Sequence, residues 1–434
     1  MSPRIQQGIA GAAALAATFV LAACGGGDEA PSGEPHKPSE PVDLRMTVWT
    51  AEDAHLSLFQ SIADDYVKEN PDLVSSVKFE PVPFEDYTTK LTTQIAGGNP
   101  PDLGWIFESN APEFVQSGAL VDLTPSLESA EGYDIDDLIP STLDLWKDGD
   151  SLYAYPFSNS PFGVFVNESQ INAAGQTDPA KLVNSGKWTF DNARDIAAAT
   201  AEDSGKQGLI VRDFDYKLWE NLATVWDGWG AAPWSDDGSE CTMADSEMVD
   251  AMQWIHDAAF QHNAMPGPGT TADFFAGDAA MTITQISRAS ELDDSFKWDL
   301  LPMPAGPAGQ QNVIGQAGIG VFAQGEHPDV AADFLAFFTN PENTKKLAAY
   351  FPPPRASLMN AQTLADANPL LSREQLQSVV VDGIKDSVTK PSHKNFAKLQ
   401  ETVRSELDAM WTKDADVKGV LNDTCSAIQP LLEE

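Results

Sequence analysis

Basic residues are scarce in this chain: 26 Lys and Arg stand against 65 Asp and Glu among 434 residues, a formal net charge of −39. Such a field repels nucleic acid and excludes a DNA- or RNA-binding role. It also disfavours anionic substrates, unless a local basic pocket opposes it. The acid is spread along the chain rather than gathered in a tail, so it reads as a solvated surface. Histidine is limited to 6 residues, and no pair has strong metal-site spacing. His256 and His262, on or near one helix and six apart, fall on different faces. HExxH, paired CxxC, GxSxG and P-loop signatures are missing, so no catalytic residue, metal or cofactor is expected. Gly315-Gln316-Ala317-Gly318-Ile319-Gly320 lacks the dinucleotide fingerprint and reads as a close backbone approach or hinge. Beyond the first 23 residues no apolar run is long enough to span a bilayer.

That first run is informative. Arg4 precedes an uncharged apolar segment from Ile5 to Ala23, which ends in Leu21-Ala22-Ala23-Cys24 and three glycines. This is the plan of a bacterial secretion signal. A cysteine after Leu-Ala-Ala resembles the lipobox of bacterial lipoproteins, which implies a signal peptide over 1–23 and an acylated Cys24. The rest then works outside the cytoplasmic membrane, tethered to it by lipid. An uncleaved membrane helix is the competing reading. The alanine and glycine content, with small residues before the cysteine, favours cleavage. Of three cysteines, Cys24 goes to lipid and leaves Cys241 and Cys425 as an even pair in an oxidising compartment. A Cys241–Cys425 bridge is expected, with two buried thiols as the alternative.

Residues 24–41, mostly Gly, Pro, Ser and acid, read as a disordered tether. Strand and helix signals then alternate. Leu44–Trp49 is a strand, and Leu56–Asn70 a helix closed by Asn70-Pro71. Val77–Val82 is a strand, Tyr87–Ala96 a helix ended by two glycines, and Pro101–Ile106 a strand. Further on, Gly163–Val166, Leu209–Val211, Ala280–Ile286 and Gly318–Phe322 read as strands. Phe190–Thr200, Ser246–Phe260 and Val330–Phe338 read as helices, and the stretch from Arg373 as mostly helical. This alternation predicts an α/β fold with parallel βαβ units. Aromatic content stands out: 11 Trp, 21 Phe and 7 Tyr, with Trp219, Trp226, Trp229 and Trp234 in one short segment. Rings cover the apolar C–H face of a sugar, while Asp, Glu, Asn, Gln and Arg satisfy its hydroxyl rim.

Several motifs occur in one order: Val48-Trp49, Gly98-Asn99-Pro100-Pro101-Asp102, the run Gln116 to Pro125, Tyr153-Ala154-Tyr155-Pro156, Gly277 to Ile283, and Ala331 to Phe338. In this order, behind a lipobox, they resemble the extracellular solute-binding proteins of sugar ABC transporters (family 1, maltose-binding-protein-like). The resemblance implies a two-lobe, type II periplasmic-binding-protein-like α/β fold, with a hinge and a ligand cleft between the lobes. One lobe would take 42–156 plus 319–372, the other 157–314 plus 373–434, with crossings near Pro156–Pro161 and Ile314–Gly318. It implies a carbohydrate ligand, ABC permease subunits as partners, a monomer, no enzymatic activity, and contact with the membrane through the lipid alone. Asp53, with Glu52 beside it, matches a carboxylate that accepts sugar hydroxyls, and Glu220 one from the second lobe. Glu108-Ser109-Asn110 sits where the family places polar contacts, with Ser-Asn replacing an Asp-Arg pair. The stacking tryptophan expected after Met281-Thr282-Ile283 is replaced near Ser287-Arg288. Trp226 and Trp229 are candidates to supply stacking instead, and Arg288 or Arg355 a charge-assisted hydrogen bond. Asn159, Ser160 and Gln316 enter by their hinge location. The same fold with a polyamine, glycerol phosphate or peptide is the alternative, followed by an exported glycoside-processing enzyme or a surface scaffold.

Overall fold

A computed structural model of the chain describes residues 38–434 apart from 213–217, 268–271, 368 and 386. The signal segment, Cys24 and most of the 24–41 tether lie outside the described residues. Val42–Val48 (β1), Val74–Pro81 (β2) and Leu103–Phe107 (β3) are parallel strands joined by the helices Asp53–Glu69 (α1) and Tyr87–Ala96 (α2). Ala154–Asn167 (β4) follows, then the helix Phe190–Ser204 (α3) and the strand Gln207–Val211 (β5). The helix Ser246–Phe260 (α4) leads to Ala279–Gln285 (β6), Trp298–Leu301 (β7) and Asn312–Val321 (β8). Pro328–Phe338 (α5), the short strand Ser387–Thr389 (β9), Phe396–Leu407 (α6) and Val417–Glu433 (α7) complete the main frame.

The strands form one nine-stranded sheet in the order β2-β1-β3-β8-β4-β6-β5, with β9 beside β8 and β7 beside β4. Apolar side chains segregate into two cores. One gathers Leu44, Val48, Phe59, Ile106, Ile319 and Phe334; the other gathers Val164, Val211, Met252, Met281, Leu399 and Leu421. Two lobes therefore hang on one sheet, and the long antiparallel strands β4 and β8 run from one core to the other. After β8 the chain stays with the first core through α5 to Leu347, whereas Leu364 and Leu371 pack in the second.

Helices α2 and α4 have the bounds that periodicity predicts. The crossings differ: β4 and β8 are longer than their sequence signals. Pro156 interrupts a strand pattern because it lacks a donor, and the ladder accommodates it in a register shift between Ala317 and Ile319. The glycine-rich run is buried strand. A Cβ on Gly315 would lie 2.7 Å from Gln285 Nε2, and one on Gly318 would lie 2.7 Å from Trp146 Cζ3, so close approach excludes side chains there. Cys241 and Cys425 meet at disulfide distance with Cα atoms 5.4 Å apart, joining the loop before α4 to α7.

Candidate functional site

The strand register sets two edges against each other. On β8, Phe107 at the carboxyl end of β3 pairs with Ala317, which also faces Ser158 of β4. Gln285 at the carboxyl end of β6 pairs with Phe162. Ser158 to Phe162 is four residues, so the two carboxyl edges stand about 13 Å apart along β4 at ~3.3 Å per residue. In open α/β sheets ligands bind outside such carboxyl ends. Here two edges share one gap.

Trp49 follows β1 and stacks on Phe107 with ring centroids 4.2 Å apart and planes 12° apart. Phe84 stands edge-on to both rings, at 6.1 and 5.0 Å, and is 38% exposed. Trp49 and Phe107 are half-buried, so the first lobe presents an aromatic surface at the gap.

Beside it lies a buried polar group. Glu108, in the turn after β3, pairs with Lys390 at 2.9 Å, and Lys390 also donates to Asn221 Oδ1 at 3.4 Å. Glu220 and Asn221 are buried in the Trp219–Leu222 turn. Burial pushes the Glu220 carboxyl above its ordinary range; the Lys390 ammonium pulls it back, and Glu108 raises it again. Glu220 Oε2 and Asn221 Nδ2 have no hydrogen-bond partner among the described residues. Arg212, one residue past β5, donates to Gln285 Oε1, lies 5.7 Å from the Phe84 ring and also acts on Glu220. Two carboxylates and two cations make the group charge-balanced. Among the described residues no cluster of His, Cys, Asp and Glu suits a metal ion.

The other expected residues are distributed more widely. Asn159 is fully buried, donates to Pro156 O at 3.0 Å and accepts from Gln316 Nε2 at 2.7 Å; Gln316 also donates to Thr142 O. Ser160 Oγ accepts from the Ser287 backbone at 3.2 Å. These contacts fasten β4 to β8 and to the turn after β6. Ser287 also lines a cavity of about 60 Å³ with His55, Tyr350 and Phe351. Glu52 and Asp53 are exposed at the start of α1, and Ser109 and Asn110 lie beside Glu108. Trp226 is fully buried 5.9 Å from Trp219, and Trp229 packs between Phe190 and Trp254. Neither is brought to the Trp49–Phe107 surface. Arg288 bridges Glu291 at 2.7 Å and lies over Phe275. Arg355 is fully buried over Tyr133, donates to Asp134 O and Thr339 O, and is 3.7 Å from Asp137. The two arginines belong to different cores.

Sequence reasoning missed Trp49, Phe84, Phe107, Arg212, Asn221 and Lys390 as site residues. Trp49 and Arg212 each stand one residue beyond a parallel strand, a position the carboxyl-edge rule could have singled out. Phe84 and Lys390 carry no local signal, because their neighbours come from distant segments.

A sheet shared by two lobes, with opposed carboxyl edges and a polar group between them, defines a protein built to hold a small molecule in a cleft. Residues 52–345 match the model of the bacterial extracellular solute-binding proteins. The chain belongs to that family. A Brucella abortus protein described as a binding protein is 24% identical over 299 residues, covering 63% of this chain and 66% of its own length. The chain thus spans just under two thirds of that relative. An uncharacterized lipoprotein of Streptomyces antibioticus is 23% identical over 71% of this chain and 69% of its own. Among solved structures, an ABC substrate-binding protein of Listeria monocytogenes in complex with cycloalternan superposes with a TM-score of 0.78 at 23% identity. It covers 91% of this chain and 99% of its own. The GacH receptor of Streptomyces glaucescens, solved unliganded and with acarbose, gives 0.75 at 19% identity, with the same coverage. These likenesses fix the fold as the two-lobe binding-protein type.

Proposed function

We propose that the protein captures a neutral carbohydrate, a mono- or oligosaccharide, in the interlobe cleft and delivers it to the permease subunits of an ABC importer. One observation carries this reading: the half-exposed Trp49–Phe107 surface adjoins a charge-balanced polar group in which Glu220 Oε2 and Asn221 Nδ2 have no partner among the described residues. A ring covers the C–H face of a sugar, and an acceptor beside a donor suits a pair of its hydroxyls. A phosphate would require surplus cation and a polyamine surplus carboxylate; the buried group offers neither. Glycerol phosphate would further need Arg288 and Arg355 to converge, and they hold partners in different cores. The cycloalternan and acarbose bound by the two structural relatives support the same ligand class.

The lobes in this reading are 42–156 plus 319–372 and 157–314 plus 373–434, with the last boundary drawn back toward 361 because Leu364 and Leu371 pack in the second core. Closure by a hinge in β4 and β8 would present the loaded form to the permease. Acylation of Cys24, supported by the lipoprotein name of the Streptomyces antibioticus relative, would hold a monomeric receptor at the membrane, with no enzymatic step. The test is a sugar panel followed by calorimetry and thermal melting. Binding should raise the melting temperature by linkage and change little with salt. A folded protein that binds no sugar, or whose ligand is released by salt, would overturn the reading.

A further inference from the structure

The second lobe holds another cavity, of about 470 Å³, inside the range of about 300–1,000 Å³ usual for small-molecule sites. Trp226 and Trp234 line it, with Asp227 and Asp236 from the same loop, Lys390 on the facing segment and Gln311. Lys390 is shared: its Nζ contacts Glu108 and Asn221 in the cleft. The cavity therefore abuts the groups assigned above to ligand.

Its wall is clamped at both ends. Trp234 bridges to Cys241, whose partner Cys425 lies on α7. Gln429, four residues further along α7, accepts from Cys241 N at 2.9 Å and donates to Ser239 O at 2.8 Å. At the other end Ala308 N donates to Gly228 O at 2.9 Å, and a Cβ on Gly306 would fall 2.2 Å from that oxygen. A loop between helices, left to itself, would collapse or wander. This one is fixed by a covalent link, three hydrogen bonds and a glycine–glycine contact, which is how a binding wall is preorganised. Burial pushes the Asp227 carboxyl up to about 8, so at neutral pH it is largely protonated and offers both a donor and an acceptor. The edge of Trp234, with neutral hydrogen-bonding groups and the exposed Asp236 carboxylate, suits a polyol.

We propose that this cavity is a subsite for a further sugar ring, so that the ligand is an oligosaccharide running from the cleft past Lys390 into the second lobe. The proposal rests on the carbohydrate reading. Its test uses ladders of one to four rings in the malto-, cello- and galacto-oligosaccharide series, titrated by calorimetry against the full-length protein. In the series that binds, affinity should rise about tenfold from the shortest member that binds to a longer one. Gln311→Trp, at a half-buried position, should fill the cavity and erase that gain while leaving the shortest binder unchanged. Trp234→Ala should lower affinity for the longer member alone. Affinity independent of length, or a length gain that survives Gln311→Trp, overturns the subsite and leaves carbohydrate binding intact. A folded protein that binds no member of any ladder sinks the carbohydrate reading and the subsite with it.

Discussion

Lys390→Met tests whether the buried ion pair belongs to the closed form of the protein or to its fold. The side chains of Lys390 and Glu108 are 10% and 5% exposed, so solvent screens their interaction little. Removing the ammonium leaves Glu108 buried, unpaired and close to a second carboxylate, Glu220. Breaking a buried pair on one side costs about 3–5 kcal/mol. The pair joins the turn after β3, in the first lobe, to the segment after β9, beside Asn221 of the second. On the proposed hinge motion, opening the cleft would return Glu108 to water, so the cost would fall on closure rather than on unfolding. A loss of about 3 kcal/mol corresponds to roughly 150-fold in Kd, while the melting temperature of the ligand-free protein shifts little. Calorimetry with the tightest sugar reads the affinity, and solution scattering of the ligand-free protein reads opening. Adding Glu108→Gln should recover most of the loss, because no unpaired ion is then left to bury. An unchanged Kd, or a loss that Glu108→Gln fails to rescue, would refute the reasoning.

Three further outcomes follow from particular contacts. Trp49→Ala should weaken sugar binding by about 2–10-fold, equivalent to roughly 0.5–1.5 kcal/mol for an aromatic contact, whereas Trp229→Phe should leave it unchanged; titration of both variants checks the contrast. Replacing Cys241 and Cys425 together by Ser opens a link between residues 184 apart, for which chain entropy gives about 5 kcal/mol. The melting temperature should fall as it does when reductant is added to the wild type, and no change in either case would exclude the bridge. Asp227 is pushed from 3.8 to about 8 by burial, so the native state holds its proton more tightly than the unfolded chain does. Its stability contribution is complete below 3.8 and lost as pH rises through about 8. Asp227→Asn should therefore gain melting temperature over wild type with rising pH, and an advantage independent of pH would count against that account.

Local periodicity made much of the fold legible, because α2 and α4 satisfy their apolar faces with residues at helical spacing and end at local signals. The crossings were less legible. Pro156 and Pro161 break the pattern of β4, and only the β8 ladder, more than 150 residues away, explains how they are housed. The site divides in the same way. Glu108 and Glu220 were accessible from the family resemblance, since each stands in a short motif beside a turn. Trp226 and Trp229 are candidates because they cluster in one short segment, yet clustering does not say which face a ring takes. Trp226 turns into the core, and Trp229 meets Phe190 and Trp254 from two other helices. Lys390 was invisible because its meaning lies in Glu108 and Asn221, and nothing in Thr389-Lys390-Pro391 points to either.

The polar group in the cleft makes little sense as a stabilising device. In a chain with few basic residues, Arg212 and Lys390 stand at the cleft rather than dispersed among the surface carboxylates they could screen. Burying each ion costs several kcal/mol, and well-packed apolar residues in their place would often be neutral or stabilising. A network kept for rigidity would also be closed, with every lone pair and proton matched. Among the described residues Glu220 Oε2 and Asn221 Nδ2 stay unmatched, at about 1–3 kcal/mol for each buried group. A neutral polyol supplies both a donor and an acceptor and adds no charge to a balanced set. On the proposed reading the unmatched atoms define the ligand by what the protein leaves undone, and the free energy withheld from folding would become available when the lobes close on it.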